Sequence, residues 1–220
     1  MTQAMSDGTP GRRDELREAL LLATLPHVAF DGWGQKALMA GARDAGVAPP
    51  LALNAFPGGA TEMIDYFNSW ADRRAVAALE ARDLGKLKVR ERITLGVRLR
   101  IEPNAPYREA VRLGLAHLSM PTNLALIGKL VYRTVDALWH AAGDTATDFN
   151  FYTKRGLLAS VYAATVLYWI NDRSPDSVET WAFLDRRIAD VMRVPPALSR
   201  LGKLADRLPN PFRLFRAVRR

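Results

Sequence analysis

The sequence of 220 residues predicts an all-α protein, and two observations carry this prediction. Apolar residues recur at intervals of three and four along nearly the whole chain, which is the spacing of one face of an α-helix. No stretch of alternating β-branched residues bounded by turn residues competes with that pattern. With 49% hydrophobic and 25% charged residues, the composition is ordinary for a globular domain.

Several helix ends have a physical cause in the sequence. Gly143 can adopt the left-handed conformation that closes a helix, and Asp148 can cap the helix that follows. Ser174 offers a second cap directly before Pro175, whose missing N–H costs nothing in a first turn. The predicted helices span residues 13–30, 34–45, 50–56, 61–83, 89–101, 106–118, 122–142, 150–172 and 175–193.

The predicted helices 122–142 and 150–172 are more apolar than a surface helix needs to be. The first carries a broad apolar stripe, and the second has hardly any polar face. A helix that is apolar on all sides must be surrounded, either by other helices in a packed core or by a bound apolar ligand. Because both surroundings give the same periodicity, this pattern leaves the two alternatives open.

The positive charge lies almost entirely at the end of the chain. Residues 193–220 contain eight Arg and Lys against Asp206 alone, which accounts for +7 of the total net charge of +8. The basicity therefore belongs to a tail and not to the domain. We expect a flexible N-terminus (1–12), a single helical domain (13–193) and a basic tail (194–220).

Residues 13–60 resemble the helix-turn-helix part of TetR-type repressors, with three short helices, a turn at 44–47 and an aromatic residue at Phe56. In that family the last short helix enters the DNA major groove. Here it carries Leu51 and Leu53, and residues 44–72 contain four acidic residues and no Lys or Arg. Since cations neutralising phosphates supply most DNA affinity, we predict a TetR-like bundle with a degenerate helix-turn-helix that binds no nucleic acid.

No set of residues has the spacing of a catalytic or metal site. His27, His117 and His140 lie far apart in sequence, and the chain has no cysteine. Asp136, His140 and Asp144 could form an acid–base or metal site, but an ion pair near a helix C-terminus, where the dipole favours a protonated histidine, is the better explanation. We therefore expect no enzyme activity, no metal ion and no cofactor, and we keep an enzyme using these three residues as an alternative.

The run at 143–155 carries a specific resemblance; it has the sequence GDTATDFNFYTKR. Together with HVAFDGW at 27–33, FPGGA at 56–60, DRSPD at 172–176 and WAFL at 181–184, it closely resembles the ubiquinone (coenzyme Q) biosynthesis accessory lipid-binding family, in particular its bacterial members. The resemblance covers roughly residues 20–193. Two positions depart from the family pattern, which commonly has Trp at Phe151 and Arg at Lys154.

This resemblance implies a TetR-like homodimer that has lost DNA binding and holds an isoprenoid lipid or ubiquinone intermediate in an apolar cavity. It also implies a partner, the demethoxyubiquinone hydroxylase, to which the quinone substrate is presented. The alternative is a TetR-type transcriptional regulator that senses an apolar effector. The predicted lipid-binding residues are Val131, Val135, Leu138, Leu158, Val161, Tyr162 and Thr165, and the family's partner patch maps onto Asp148, Asn150, Phe151, Tyr152 and Arg155.

The basic tail predicts a C-terminal amphipathic helix that lies in a membrane interface. Between residues 198 and 208 the leucines fall on one side of a helix and the cations on an adjacent side, which is typical of helices bound to an anionic membrane surface. Packing of this helix on its own domain or on the dimer partner is the alternative. With no signal sequence evident in residues 1–16, we expect a cytoplasmic protein peripherally associated with the inner membrane of a bacterium. The predicted membrane-binding residues are Leu198, Arg200, Leu201, Lys203, Leu204, Arg207, Leu208, Phe212 and Phe215.

Overall fold

The computed structural model describes residues 10–143 and 149–191. Every regular element in these two ranges is a helix, and no β-strand occurs among them, which confirms the all-α prediction. Short 3₁₀ turns connect several of the α-helices. The α-helices are α1 (Pro10–Asp31), α2 (Gln35–Asp44), α3 (Pro49–Ala55), α4 (Gly59–Glu80), α5 (Val89–Ile101), α6 (Arg108–Leu118), α7 (Leu124–Ala141), α8 (Phe149–Trp169) and α9 (Val178–Val191).

Most helix ends agree with the sequence prediction to within a few residues. The fifth predicted helix, 89–101, coincides with α5. Gly143 follows the end of α7 with φ +89°, and its N–H donates to the carbonyl of His140 at 2.9 Å. The prediction of Gly143 as a left-handed helix end is confirmed.

The predicted helix at 175–193 begins later than expected. Pro175–Ser177 form a 3₁₀ turn in which Asp176 and Ser177 have φ of 49° and 56°, and α9 starts at Val178. Asp172 explains the difference, because its carboxylate accepts hydrogen bonds from the backbone N–H groups of Ser174 at 2.7 Å and Thr180 at 2.9 Å. These bonds require a tight turn between the two donors, so the proline starts the turn and not the helix.

The N-terminal core joins α1 to α2, α3, α4 and α6. Leu25, Leu38 and Met63 are among its fully buried side chains. Helices α1 and α2 touch at Gly41, where an added Cβ would lie 2.6 Å from the backbone N of Thr24. The close approach of these two helices therefore requires a glycine at this position.

The second core joins α4, α5, α7, α8 and α9. Val97, Leu138, Trp169 and Leu184 are almost fully buried within it. Helix α8 contributes more buried residues than the other helices of this cluster, but Leu167 on its outer side is 55% exposed, so α8 is not surrounded on all sides as predicted. A packed core accounts for one side of α8, and the other side faces a cavity.

The helix-turn-helix region has an unusual surface for its fold. The side chains of Leu51 and Leu53 on α3 are 49% and 41% exposed. The helix that would enter a DNA groove therefore presents leucines to solvent. In the described part of the chain, no helix combines the length and the apolar content needed to span a membrane.

Candidate functional site

A cavity of about 270 Å³ lies between α4, α5, α6, α7 and α8. Its wall is largely apolar because each of these helices contributes apolar side chains to it. At about 30 Å³ per water molecule in the liquid, the cavity has room for a molecule much larger than water. The apolar lining includes Ile64, Phe67, Leu118, Leu130, Val131 and Val166.

The cavity opens to solvent between α6 and the outer side of α8. Two of its lining residues, Ser119 and Leu167, are exposed, the latter to 55%. Met120, next to Ser119, is another exposed large apolar side chain. We call Ser119, Met120 and Leu167 the rim. An apolar rim lowers the cost of bringing an apolar molecule into the cavity, since water is already poorly bound there.

A buried ion pair forms the polar part of the wall. The Nε of Arg100 donates to Oδ1 of Asp72 at 2.6 Å, and their side chains are 5% and 8% exposed. Thr134 donates to the same carboxylate oxygen at 2.8 Å, and Nη2 of Arg100 donates to Oδ1 of Asn68 at 3.0 Å. Charges that are so fully buried need this number of partners to offset their loss of hydration.

The charge state of this polar wall is fixed by its neighbours. Burial raises the pKa of the Tyr162 phenol, although the Arg100 guanidinium acts in the opposite direction. Burial alone lowers the pKa of Arg100, but the facing Tyr162 and Asp72 raise it overall. Tyr162 is therefore a neutral donor and Arg100 a paired cation at neutral pH, so the cavity offers hydrogen bonds without a free charge.

Two further polar atoms at the cavity lack a partner. Oδ1 of Asn104 and Nε1 of Trp169 are buried and have no hydrogen bond among the described residues, and both residues line the cavity. A buried donor or acceptor without a hydrogen bond lowers the stability of a fold by about 1–3 kcal/mol. Such groups in a cavity wall are typical of a site that a polar ligand atom or water completes.

Two of the predicted lipid-binding residues line the cavity, and five do not. Val131 and Tyr162 lie in its wall. On α8, the side chains of Leu158, Val161 and Thr165 are buried on one face of the helix. The residues of α8 that line the cavity lie on the neighbouring face, since successive residues are rotated by about 100° around the helix. Along α7, Val135 is fully buried in the core, and Leu138 lies against Gly96 of α5. The residues that pack in the core are Val135, Leu138, Leu158, Val161 and Thr165.

Sequence reasoning missed the contributions of α4, α5 and α6. Phe67 and Asn68 come from α4, Arg100 from α5 and Gly114 from α6, all far from α7 and α8 in sequence. A Cβ on Gly114 would lie 3.3 Å from Nε1 of Trp33, so the glycine keeps space in the wall. One feature of the sequence could have indicated this part of the wall. Arg100 lies in an otherwise apolar stripe of α5, and a buried cation needs a buried partner.

The predicted partner patch is only partly visible. Asn150, Phe151 and Tyr152 lie in the first turn of α8, and Asp148 lies outside the described residues. Arg155 is buried, and its Nε donates to Oδ1 of Asp136 at 2.6 Å. A guanidinium covered in this way offers no face to a partner, so Arg155 is better explained as the residue that holds the start of α8 against α7.

The alternative acid–base or metal site does not assemble in the described residues. Asp136 is engaged by Arg155, and Asp144 lies outside the described ranges. No group of three or more potential metal ligands was found within 10–143 and 149–191. His117 instead lies 2.9 Å from the hydroxyl of Thr61, and His27 lies 2.6 Å from Asp44.

The predicted membrane-binding residues and the amphipathic helix that contains them lie outside the described residues. So does the whole of the predicted tail, and so does the predicted flexible N-terminus apart from residues 10–12, which begin α1. The membrane hypothesis therefore rests on the sequence pattern alone.

Helices, cores and internal cavity together define a TetR-like all-α protein. A solved TetR transcriptional regulator from Nitrosomonas europaea ATCC 19718 has the same fold, with a TM-score of 0.67 over 81% of this chain and 98% of that chain. The two sequences are 21% identical, so this likeness establishes the fold and not the function.

Sequence comparisons identify the family. The family model described as COQ9 matches residues 124–195, which include α7, α8 and α9. The human ubiquinone biosynthesis protein COQ9, mitochondrial, is 34% identical over 188 residues, which cover 82% of this chain and 59% of the relative. Its Drosophila melanogaster counterpart is 30% identical over 210 residues, covering 94% and 64%. The chain belongs to the COQ9 family, and it spans less than two thirds of the length of these curated relatives.

The comparisons overturn the predicted localisation. The named relatives from human, Drosophila and Dictyostelium discoideum are all mitochondrial proteins of eukaryotes. The prediction of a cytoplasmic protein at the inner membrane of a bacterium is therefore wrong by this finding. The physical reason is that the fold and the apolar residues depend on packing and on the ligand that is bound. They carry no information about the cellular compartment.

Proposed function

We propose that the protein is a non-catalytic accessory protein of ubiquinone biosynthesis that binds an isoprenoid quinone intermediate and presents it to the demethoxyubiquinone hydroxylase. The observation that carries this proposal is the cavity of about 270 Å³, which is lined mainly by apolar side chains and opens at an apolar rim. The family relatives, named for ubiquinone biosynthesis, supply the pathway.

The dimensions of the cavity favour a molecule that is only partly enclosed. Its volume lies at the lower end of the range of small-molecule sites, which suits a ring with a short stretch of chain. The remainder of a long tail would leave across Met120 and Leu167 at the rim. Each methylene group removed from water contributes about 0.8 kcal/mol, so even a short enclosed stretch supports binding.

The start of α8 is the proposed contact with the hydroxylase. The resemblance places the family's partner residues among positions 148–155, and most of these lie in the first part of α8, which is the next α-helix in the chain after α7. Both helices contribute to the cavity wall. Arg155 fixes the orientation of this turn through Asp136. A partner bound there would lie near one end of the two helices that hold the lipid.

The basic tail is proposed to bring the protein to an anionic membrane surface, where its lipid resides. Residues 193–220 carry a net charge of +7, and each cation near an anionic surface contributes up to about 1 kcal/mol. A homodimer in which two such tails act together would bind more strongly than a monomer.

The alternative of a TetR-type regulator has less support. The likeness to a TetR regulator is at 21% identity and concerns the fold. Leu51 and Leu53 occupy the exposed face of α3, and residues 44–72 include no cation. A helix with this surface lacks the means to neutralise phosphates, so we propose that DNA binding has been lost.

Extraction of lipids from the purified protein, followed by mass spectrometry, tests the proposed function. We expect an isoprenoid lipid in the wild type. In Val131→Trp the larger side chain fills the cavity, and we expect the bound lipid to fall at least about tenfold, which corresponds to about 1.4 kcal/mol. The matched control is Tyr132→Trp at the next, exposed position, which should keep its lipid. Equal lipid content in both variants would contradict the proposal.

A further inference from the structure

An acceptor and a donor that the fold leaves unused lie in the wall of the cavity. The side chain of Asn104 is 3% exposed; its Nδ2 donates to the carbonyl of Arg100 at 2.7 Å, while its Oδ1 has no partner among the described residues. Trp169 is 1% exposed, and its Nε1 likewise has none. Protein interiors rarely leave such atoms unpaired unless a ligand or an ordered water completes them.

Asn104 lies in the segment between α5 and α6, and the ring of Trp169 at the end of α8 contacts the start of α6. The guanidinium carbon of Arg108 lies 4.7 Å from the centre of the Trp169 ring, and Asn104 precedes Arg108 by four residues. Arg108 itself is occupied, since it donates to the carbonyl of Asp172 and to the hydroxyl of Ser177 at 2.8 Å. Asn104 and Trp169 therefore both line the cavity close to the start of α6, and both are buried.

Two other polar side chains of the lining, Asn68 and Thr134, already have partners. Asn68 donates to the carbonyl of Ile64 at 2.9 Å and accepts from Arg100 at 3.0 Å. Thr134 donates to Asp72 at 2.8 Å. Among the residues that line the cavity, Oδ1 of Asn104 and Nε1 of Trp169 are the buried polar atoms without a hydrogen bond to another described residue.

We propose that Asn104 and Trp169 select the polar head of the lipid, and that they favour a hydroxylated or reduced aromatic ring over an oxidised quinone. A phenol or hydroquinone donates its O–H to Oδ1 of Asn104 and accepts from Nε1 of Trp169. A quinone carbonyl can accept from Trp169 but leaves Asn104 unpaired, because it has no donor. A hydrocarbon satisfies neither atom. This inference rests on the proposed function, because it assumes that the cavity holds a prenylated ring.

The test measures binding of three probes with the same prenyl chain by anaerobic calorimetry on the full chain. The probes are a prenylhydroquinone, the corresponding prenylquinone and a prenylbenzene without oxygen. For the wild type we expect the hydroquinone to bind about tenfold more tightly than the quinone, since one hydrogen bond to a buried group distinguishes them. The prenylbenzene should bind most weakly.

Two variants assign the effect to the two atoms. Asn104→Leu removes the acceptor and should weaken hydroquinone binding about tenfold while leaving the quinone within about twofold. Trp169→Phe removes the N–H together with part of the ring system, keeps an aromatic ring over which Arg108 can lie, and should weaken both oxygenated probes more than the prenylbenzene. Unchanged prenylbenzene affinity in both variants shows that the cavity is still folded.

The outcomes separate this inference from the proposed function. If the wild type binds none of the three probes, the proposed function fails. If it binds all three with equal affinity, or if both variants keep the preference for the hydroquinone, the cavity binds lipid but the head-group selection is refuted. Ordered water bridging Asn104 and Trp169 would produce the same lack of preference and counts against the inference.

Discussion

The buried pair of Asp72 and Arg100 gives the sharpest prediction about stability, because its removal leaves a carboxylate in the wall of the cavity. In Arg100→Met, Asp72 would keep only Thr134 at 2.8 Å and the Nε of Arg133 at 3.5 Å. Breaking one partner of a buried ion pair costs about 3–5 kcal/mol. For a chain of this length we expect the melting temperature to fall by roughly 6–20 °C.

A double variant distinguishes this cause from a simple loss of packing. In Asp72→Asn combined with Arg100→Met no unpaired charge remains, so we expect the loss of stability to be about 1–2 kcal/mol. The matched control is Arg112→Met on the surface of α6, where the side chain of Arg112 is 51% exposed and pairs with Glu109. Exposed pairs contribute little, so this variant should unfold like the wild type.

Chemical denaturation followed by circular dichroism measures all three variants under the same conditions. The reasoning requires the single variant Arg100→Met to be less stable than the double variant. If the double variant is as unstable as the single one, packing and not charge holds this wall together. If Arg100→Met lowers the unfolding free energy by less than about 1 kcal/mol, water must reach the carboxylate of Asp72, and the ion pair is not buried as the structure shows it.

Three further predictions follow from the structure and the sequence. Gly41→Ala should lower the unfolding free energy by about 1–3 kcal/mol in denaturant titrations, because its Cβ would lie 2.6 Å from the backbone N of Thr24. The control is Gly11→Ala, where the added Cβ has open space around it. Equal stability of the two variants would refute the close contact between α1 and α2. Burial alone raises the pKa of the Asp172 carboxyl, but hydrogen bonds from Thr180 and Ser174 lower it to about 2. Since this folded pKa lies below the usual 3.8, the carboxylate stabilises the fold above pH 3.8, and about 1–2 kcal/mol, reduced for solvent screening, should disappear as the pH falls toward 2. In Asp172→Asn melts this part of the pH dependence should be missing, and an unchanged profile would contradict the assignment. Truncation after Val194 should leave a folded, lipid-binding domain that no longer sediments with anionic vesicles, whereas full sedimentation of the truncated protein would exclude the tail as the membrane-binding segment.

Much of the fold could be predicted from the sequence because helix formation depends on local patterns. The 3.6-residue periodicity located the nine α-helices of residues 10–143 and 149–191, and the glycine after α7 marked its end. The apolar character of 150–172 agrees with the large share of buried residues that α8 contributes to the second core. The start of α9 was missed because it depends on Asp172, whose hydrogen bonds reach eight residues along the chain to Thr180.

The candidate site was less accessible to sequence reasoning. Periodicity identified α7 and α8 as the apolar pair, but only Val131 and Tyr162 of the seven named residues line the cavity. Leu158 and Val161 have the same apolar character as Val166, yet they pack in the core and Val166 also faces the cavity. The chemistry of these side chains is the same, so their own sequence cannot separate the two roles.

The sequence by itself determined the helical class, the apolar character of α8, the presence of leucines on α3 and the confinement of the net charge to residues 193–220. These are properties of composition and local spacing, which each segment expresses whatever its neighbours are. Only the tertiary structure decided that Arg155 is buried against Asp136 and that Asn104 and Trp169 line one cavity. Those relations join residues from different helices, and whether a side chain packs, pairs or faces an empty space depends on what the fold places opposite it.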